Sequence, residues 1–348
     1  MGESDAAPGC AVSRAPSVAG MPQPFVIQPR TASDTVPRLD EEAFGALAPY
    51  IADEAVTDIF INGAAGLFVD RGRGVERVDG WRAAEREVRE LAVSLIGRGG
   101  RHVDDQTPCV DVRLASGIRV HVVLAPVATA GTAISIRVPR VRATDLDALA
   151  ALGGVDARQR QWLEQQVHAR ANLLITGGTG TGKTTLLSAL LAHVPPTERI
   201  VTIEDVAELA PRHPHHVALE ARQRNLEGTG GIALALLVRE SLRMRPDRLI
   251  VGECRGEEVR DLLAALNTGH DGGAGTLHAS SLADVPARME ALGALAGMDA
   301  TALARQVVSA FAFVVHLQRD PSGLRRIARL GRFTLADDRL AIEEVSPC

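Results

Sequence analysis

The chain has 348 residues, of which 46% are hydrophobic and 23% are charged, a composition typical of a soluble protein with room for two domains. Its net charge of −5 at pH 7 counts against a protein that binds nucleic acid through a basic surface. No cysteine has a partner at metal-ligand spacing, which argues against a zinc site or a disulfide framework; the cysteines are Cys10, Cys109, Cys254 and Cys348. With no apolar run of about 18 residues and no basic, apolar start, we expect neither a membrane span nor a signal peptide.

The first part of the chain is predicted to be a disordered leader followed by a small α+β domain. Residues 1–37 are rich in Ala, Pro, Ser and Gly and show no sustained periodicity. A helical pattern, LDEEAFGALAPYIAD, then precedes two runs typical of strands, VTDIFING and GLFVDRG. AAEREVRELAVSLIGRGG has the spacing of an amphipathic helix that ends at two glycines. VDVRLASGIRVHVVLAPV predicts a hairpin turning at Ser116-Gly117, and TAISIRVP a further strand, which completes a domain over residues 38–145.

Residues 146–348 show a different pattern. A junction, RVRATDLDALAALGGV, leads into the helical stretch DARQRQWLEQQVHAR. Compact apolar runs then alternate with helical patterns; the runs are NLLITGG, RIVTIED, RLIVGE and AGTLHAS. Strands covered on both faces by crossover helices have this pattern, so we predict an open α/β sheet. FVVHLQRDPSGLRRIARLGRF predicts a final hairpin that turns at Pro321-Ser322-Gly323.

GGTGTGKTT, residues 177–185, contains the phosphate-binding pattern G-x-x-x-x-G-K-[ST] between a predicted strand and a predicted helix. Glycines let backbone N–H groups surround a phosphate, and the helix N-terminus adds partial positive charge. Lys183, the only lysine among 38 basic residues, would place a compact ammonium on the β- and γ-phosphates, and the Thr184 hydroxyl would hold Mg²⁺. A chance glycine-rich turn would match on the order of once in a thousand. The predicted nucleotide-binding residues are Gly177, Gly178, Thr179, Gly180, Thr181, Gly182, Lys183, Thr184 and Thr185.

Two acidic stretches follow predicted strands of the same sheet. RPDRLIVGE ends in Glu253, which could act through the Mg²⁺ shell or on the attacking water, or could be a surface carboxylate. TIEDVAEL carries Glu204, Asp205 and Glu208. These either reach the crevice at the carboxyl ends of the strands or belong to a solvated loop.

Histidines form two further groups. TGHDGGAGTLHASS carries His270 and His278, and the place of His278 just past a strand suggests a sensor at the phosphate end, although most histidines have structural roles. The histidines of PRHPHH, His213, His215 and His216, are interpreted as a solvated loop, because no nearby ligands complete a metal site.

Together these motifs resemble those of the secretion-ATPase superfamily, the traffic ATPases of type II and type IV secretion, pilus assembly and conjugation. That family carries a Walker A loop, an Asp box, a Walker B strand and a His box in this order; here they are GGTGTGKTT, TIEDVAEL, RLIVGECR and TGHDGGAGTLHAS. Within the family the chain looks closest to the tight-adherence (Tad/Flp) pilus ATPases of the actinobacterial, conjugal-transfer-associated type, on the stretches LRMRPDRLIVGE and HASSLADVPARMEALGALAG. The tetracysteine zinc module typical of the assembly ATPases of type II secretion and type IV pili is missing, which favours the Tad or the type IV branch.

The resemblance implies a RecA-like P-loop domain with a smaller α+β N-terminal domain, assembled as a homohexamer that holds ATP and Mg²⁺ between the two domains. It implies that Lys183 and Thr184 contact phosphate and Mg²⁺. Glu253 would be the Walker B acid, acting on Mg²⁺ through water, and Glu208 the general base.

The resemblance also implies roles for histidines and arginines. His278 and His270 would be the His-box residues at the nucleotide. Arg119 and Arg137 of the smaller domain would reach the γ-phosphate, with Arg255 beside the Walker B acid. Each of these arginines could instead be a surface charge.

The function implied is that of a cytoplasmic, Mg²⁺-dependent ATPase that drives pilus assembly or type II/IV secretion by domain motion, docked to platform proteins of the inner membrane. One alternative is a conjugative DNA-transfer motor, against which the acidic balance and the scarcity of aromatics count. A second alternative is a nucleotide-binding scaffold without hydrolysis, against which the full set of acids counts.

Overall fold

The computed structural model describes residues 41–72, 74–114, 117–138, 145–222, 230–321 and 323–346. An antiparallel sheet forms the N-terminal part; its strands are β1 (Asp58–Asn62), β2 (Leu67–Asp70), β3 (Val75–Arg77), β4 (Cys109–Arg113), β5 (Arg119–Val123) and β6 (Ala133–Arg137). The strand order is β3-β2-β1-β6-β5-β4. Alternate residues are buried, as are Ile59 and Ile61 of β1, so one face of the sheet packs on a core and the other does not.

Helices lie against that buried face. They are a 3-10 helix (Glu41–Leu47), α1 (Ala48–Ala52), a second 3-10 helix (Gly63–Ala65) and α2 (Glu85–Arg98). α2 buries one stripe, at positions 88, 92, 95 and 96, which is the three-to-four spacing of an amphipathic helix. The single helix predicted over LDEEAFGALAPYIAD is interrupted, because Gly45 has a left-handed φ of 50° and a non-helical ψ of −123°.

A larger sheet forms the rest of the chain. Its strands are β7 (Leu173–Gly177), β8 (Ile200–Glu204), β9 (His216–Glu220), β10 (Arg248–Val251), β11 (Ala274–His278), β12 (Phe313–Arg319), β13 (Arg325–Ala336) and β14 (Arg339–Val345). The order is β14-β13-β12-β7-β11-β10-β8-β9. Neighbours from β12 to β9 are parallel, and β13 and β14 add antiparallel hairpins at one edge.

Helices cover both faces of the larger sheet. They are α3 (Leu146–Ala151), α4 (Ala157–His168), α5 (Lys183–Leu191), α6 (Leu234–Leu242), α7 (Glu258–Leu266), α8 (Val285–Leu295) and α9 (Ala300–Ala310). Leu174 of β7 packs into one apolar core, whereas its neighbours Leu173 and Ile175 pack into the core on the opposite face. The predicted α/β class with buried parallel strands is therefore confirmed, and the carboxyl ends of β7, β8, β10 and β11 share one edge.

Three strands were not predicted: β3, β9 and β14. β9 is a half-exposed edge strand, so its composition carries little apolar signal. The turn before β14 is Asp337-Asp338, both with positive φ, a hairpin geometry that usually selects Asn or Gly. The predicted leader, 1–37, and the turn residues Ser116 and Ser322 lie outside the described residues. The predicted boundary at 145/146 falls between β6 and α3.

Candidate nucleotide site

The P-loop joins β7 to α5, and two of its glycines are required by its geometry. Gly182, the residue just before α5, has φ +94°, a left-handed conformation that L side chains rarely adopt. A Cβ at Gly177 would lie 2.5 Å from the carbonyl oxygen of Leu317 and 2.7 Å from the Thr181 hydroxyl, so only glycine fits. The loop can therefore close tightly at the helix N-terminus, where free N–H groups and the helix dipole favour an anion.

The side chain of Lys183 lies across the loop. Only 7% of the residue is exposed, and its Nζ donates to the carbonyl oxygens of Gly177 at 3.0 Å and Gly178 at 2.9 Å. Burial lowers the pKa of Lys183, and the charge of Arg137 lowers it further. The charges of Glu253 and Glu208 oppose the shift in the Lys183 pKa. Charged groups from several elements thus converge on one ammonium.

Glu253 and His278 meet beside this lysine. Glu253 follows the end of β10 by two residues, and His278 is the last residue of the neighbouring strand β11. Nε2 of His278 lies 2.7 Å from Oε1 of Glu253, but the contact does not have the geometry of a hydrogen bond, since Oε1 has no such partner. Burial, followed by the charge of Lys183, lowers the pKa of His278. The other oxygen of Glu253 accepts a 2.5 Å hydrogen bond from Arg255.

The acidic loop after β8 divides its carboxylates between two roles. Glu204 is buried, with 5% exposed, and accepts hydrogen bonds from the backbone N–H groups of Glu208 at 3.1 Å and Leu209 at 3.2 Å. Burial raises the pKa of Glu204 to about 7. A Cβ at Gly252 would lie 2.4 Å from its Cγ, which explains the glycine before Glu253. Glu204 is therefore a carboxylate that folds the loop, whereas the charge of Glu208 in the same loop acts on Lys183.

Asp205 belongs to the same site. It lies 3.8 Å from Arg255. Burial raises the pKa of Asp205, and the charges of Arg255 and Arg119 oppose that shift. Arg119 on β5 stands directly opposite Arg137 on β6, and the charge of Arg137 acts on Lys183 of the P-loop.

Arg113, at the end of β4, is a residue that the sequence analysis missed. It forms an ion pair with Glu220 of β9 and donates to the carbonyl oxygen of Ala207 at 3.4 Å, so it joins the smaller sheet to the acidic loop. The predicted hairpin could have indicated Arg113, because it places this residue directly opposite Arg119, which was already a candidate.

His270 is not brought to the P-loop. It precedes the amino end of β11, whereas His278 lies at the carboxyl end, and its Nδ1 lies 3.2 Å from the carbonyl oxygen of Ala265.

The interpretation of the PRHPHH histidines as one solvated loop is wrong for His216, which begins β9 and pairs with the Thr202 hydroxyl at 2.9 Å. Burial lowers the pKa of His216. Among the described residues no cluster of three His, Cys, Asp or Glu could hold a metal.

The oxygen ligands that the protein offers here fit a metal ion that is also bound by phosphates, rather than one bound by protein groups alone. Thr184 is half-buried at the second position of α5. Glu253 follows β10, which is separated from β7 by β11. Mg²⁺ commonly takes one or two protein oxygens together with waters and phosphate oxygens. One hydroxyl and one carboxylate suffice for that arrangement.

A P-loop at the carboxyl edge of a parallel sheet, with an acid and a histidine on the next strands, defines a P-loop NTPase of the RecA-like class with a smaller α+β domain before it. The profile of the family described as "Type II/IV secretion system protein" matches residues 40–327. This chain belongs to that family of secretion ATPases.

Two relatives agree with this family assignment, and one solved structure agrees with the fold. The chain is 49% identical over 302 residues to a "Putative conjugal transfer protein" of Mycobacterium tuberculosis, covering 85% of this chain and 86% of that one. It is 30% identical over 303 residues to the conjugal transfer protein TrbB of Rhizobium radiobacter, covering 86% and 90%. The crystal structure of the pilus retraction motor PilT with bound ADP shares the fold, with a TM-score of 0.56 at 20% identity over 87% of this chain and 82% of that one. In the described part of the chain, no helix combines the length and apolar character needed to cross a membrane.

Proposed function

We propose that this chain is a Mg²⁺-dependent ATPase that powers a pilus-assembly or type II/IV secretion machine. The observation that carries the proposal is the contact series from the Lys183 ammonium through His278 to Glu253 at the mouth of the P-loop. Lys183 and the P-loop N–H groups would bind the β- and γ-phosphates, and Thr184 and Glu253 would hold Mg²⁺, the latter through water. Mg²⁺, when bound, neutralises charge on the β- and γ-phosphate oxygens.

The acidic loop supports the hydrolytic step. Glu208, whose backbone N–H is tied to the buried Glu204, would accept a proton from water as that water attacks the γ-phosphorus. The bond to the β–γ bridging oxygen breaks, which gives ADP and inorganic phosphate. Arg119, Arg137 and Arg255 would neutralise the charge that develops on the phosphate.

Motion between the two parts of the chain would be the output. Arg137 and Arg113 reach from the smaller sheet toward Lys183 and the acidic loop, so loss of the γ-phosphate would remove an anion that attracts them. We further propose a homohexamer that works at the cytoplasmic face of the inner membrane through platform proteins, and a Tad/Flp-type machine.

A conjugative machine is the second candidate, because two relatives are named as conjugal transfer proteins. In that case the chain would energise the machine, and the charge of −5 counts against direct contact with DNA.

The direct test is phosphate release from ATP by the purified full chain, with Mg²⁺ and with EDTA, for wild type and Glu253→Gln. We expect Mg²⁺-dependent turnover in wild type and a loss of about a hundredfold or more in the variant. Equal turnover in the two proteins would favour a scaffold without hydrolysis. DNA-stimulated turnover with a steep salt dependence would instead favour a DNA motor, and sedimentation with nucleotide would measure the number of subunits.

A further inference from the structure

The backbone that carries Glu253 lies just beyond the regular part of the larger sheet. β10 ends at Val251, two residues before the acid, and its ladder with β11 stops at the pairing of Val251 with Gly275. The side chain of Glu253 is nevertheless held close to the P-loop, with Oε1 2.7 Å from Nε2 of His278. Contacts outside the ladder must therefore fix this segment.

One residue of β11, Thr276, contacts the backbone on both sides of Glu253. Its hydroxyl donates to the carbonyl oxygen of Gly252 at 2.6 Å, and its own carbonyl oxygen accepts from the N–H of Cys254 at 2.8 Å. Only 2% of Thr276 is exposed, and a buried polar group that loses its partner is costly. Glu253 thus lies between two hydrogen bonds to a single buried residue.

Strand β8 holds the same segment from the other side. The N–H of Gly252 donates to the carbonyl oxygen of Ile203 at 2.8 Å. A Cβ at Gly252 would lie 2.4 Å from Cγ of the buried Glu204, so this carboxylate packs closely on the glycine. Gly252 is therefore fixed between β8 and the hydroxyl of Thr276.

The position of this backbone decides where the carboxylate of Glu253 lies. His278 stands two residues after Thr276 on the same strand, so Thr276 ties the acid to the strand that carries the histidine. A displacement of about 1 Å at a reacting group can lower a rate by about a hundredfold. A contact that fixes Glu253 relative to His278 is thus a contact on which turnover depends.

We propose that Thr276 is a positioning residue that holds Glu253 beside His278 and the P-loop. The inference rests on the proposed function, because it assumes that Glu253 acts in ATP hydrolysis. Thr276 acts through its hydroxyl and contacts neither the phosphates nor Mg²⁺. In Thr276→Val a methyl group would take the place of the hydroxyl, 2.6 Å from the Gly252 carbonyl oxygen. Carbon and carbonyl oxygen atoms approach only to about 3.3 Å, so Gly252 would have to move, and Glu253 with it.

The first measurement is steady-state ATP hydrolysis by the full chain with Mg²⁺. Thr276→Val lowers kcat about tenfold to a hundredfold, while KM for ATP stays within about twofold of wild type, because the P-loop binds phosphate without Thr276. Thr276→Ser keeps the hydroxyl and retains kcat within about threefold of wild type. Thr276→Ala is the second variant without a hydroxyl; it lowers kcat in the same direction and replaces Thr276→Val if that protein does not fold.

Thr202→Val is the matched control. Thr202 is a fully buried threonine on β8, and its hydroxyl pairs with Nε2 of His216 on β9 at 2.9 Å. The control therefore loses a buried hydroxyl contact of the same kind, away from the segment of Glu253. It lowers the unfolding free energy in urea as Thr276→Val does, but it keeps the wild-type kcat.

A second measurement needs no nucleotide. Amide hydrogen exchange of the ligand-free chain reports local opening of the segment that follows Glu253. The N–H of Cys254, which donates to Thr276, exchanges faster in Thr276→Val and Thr276→Ala than in wild type. Its exchange is unchanged in Thr276→Ser and in Thr202→Val.

The role of Thr276 alone is overturned by wild-type kcat in the variants without a hydroxyl, by a loss in Thr276→Ser or Thr202→Val as large as theirs, or by unchanged exchange at Cys254. A wild-type chain without turnover, from which Lys183→Ala is indistinguishable, overturns the proposed function and with it any role of Thr276 in hydrolysis.

Discussion

The Nζ of Lys183 lies 3.4 Å from Nδ1 of His278. An ammonium has donors only, so the imidazole nitrogen that faces it carries the lone pair, and this assignment puts the imidazole proton on Nε2 toward Glu253. Burial and the charge of Lys183 lower the pKa of His278, which favours the neutral ring. The histidine, on β11, thus lies between the P-loop lysine and Glu253, which follows β10.

Removal of the lysine should abolish turnover. Lys183→Ala loses the only ammonium at the loop, and we expect ATP hydrolysis to fall by at least about a hundredfold. Lys183→Arg should fail similarly, because a planar guanidinium does not fit where Nζ contacts two backbone carbonyls at 3.0 and 2.9 Å. Phosphate release measures the effect, with circular dichroism to verify folding. Wild-type turnover in Lys183→Arg would refute this account of the loop.

The two histidines near β11 should separate in function. His278→Asn breaks the connection between Lys183 and Glu253, and we expect kcat to fall about tenfold to a hundredfold with ADP affinity nearly unchanged. His270→Asn is the matched control, because the structure leaves His270 at the opposite edge of the sheet, and it should hydrolyse ATP as wild type does. Equal losses in the two variants would show that the effect comes from the fold rather than from the site.

Sequence patterns predicted the fold and the site correctly at positions where only one physical requirement explains the residue type. The P-loop glycines, the buried parallel strands and the acid after β10 are such cases, and the structure has them where they were expected. Arg113 was missed because its partner Glu220 is remote in sequence, on a strand with a weak apolar pattern. The structural role of Glu204 was missed for a similar reason, because its place in an acidic run does not indicate that it is buried or that backbone N–H groups donate to it.

Stability should depend on pH through Glu204. Burial raises its folded-state pKa from the ordinary 4.5 to about 7, so between these values the folded protein keeps a proton that the unfolded chain has released. Stability from this group is therefore full below about pH 4.5 and falls as pH rises toward 7. The shift corresponds to about 3 kcal/mol at most.

Glu204→Gln cannot ionise, yet its amide oxygen can still accept from the two backbone N–H groups. We expect the difference in unfolding free energy, variant minus wild type, to increase between pH 5 and pH 8 by up to about 3 kcal/mol. Urea unfolding across this range measures it, with the exposed Glu257→Gln as control. A difference between Glu204→Gln and wild type that stays constant with pH would contradict the prediction.

The ion pair between Arg113 and Glu220 should stabilise the contact between the smaller sheet and β9. Its side chains are 29% and 35% exposed, and burial lowers the pKa of Arg113, an effect that Glu204 and Glu208 oppose. In a double-mutant cycle with Arg113→Ala and Glu220→Ala, we expect a coupling energy of about 1 kcal/mol in urea unfolding.

The matched pair is Arg329 with Glu344, which is 55% and 53% exposed within one hairpin and should couple by about 0.5 kcal/mol or less. Because Arg113 also donates to the loop that carries Glu208, Arg113→Ala should slow ATP turnover, whereas Arg329→Ala should not. Equal coupling in the two pairs, together with unchanged turnover in Arg113→Ala, would reduce the Arg113 contact to an ordinary surface ion pair.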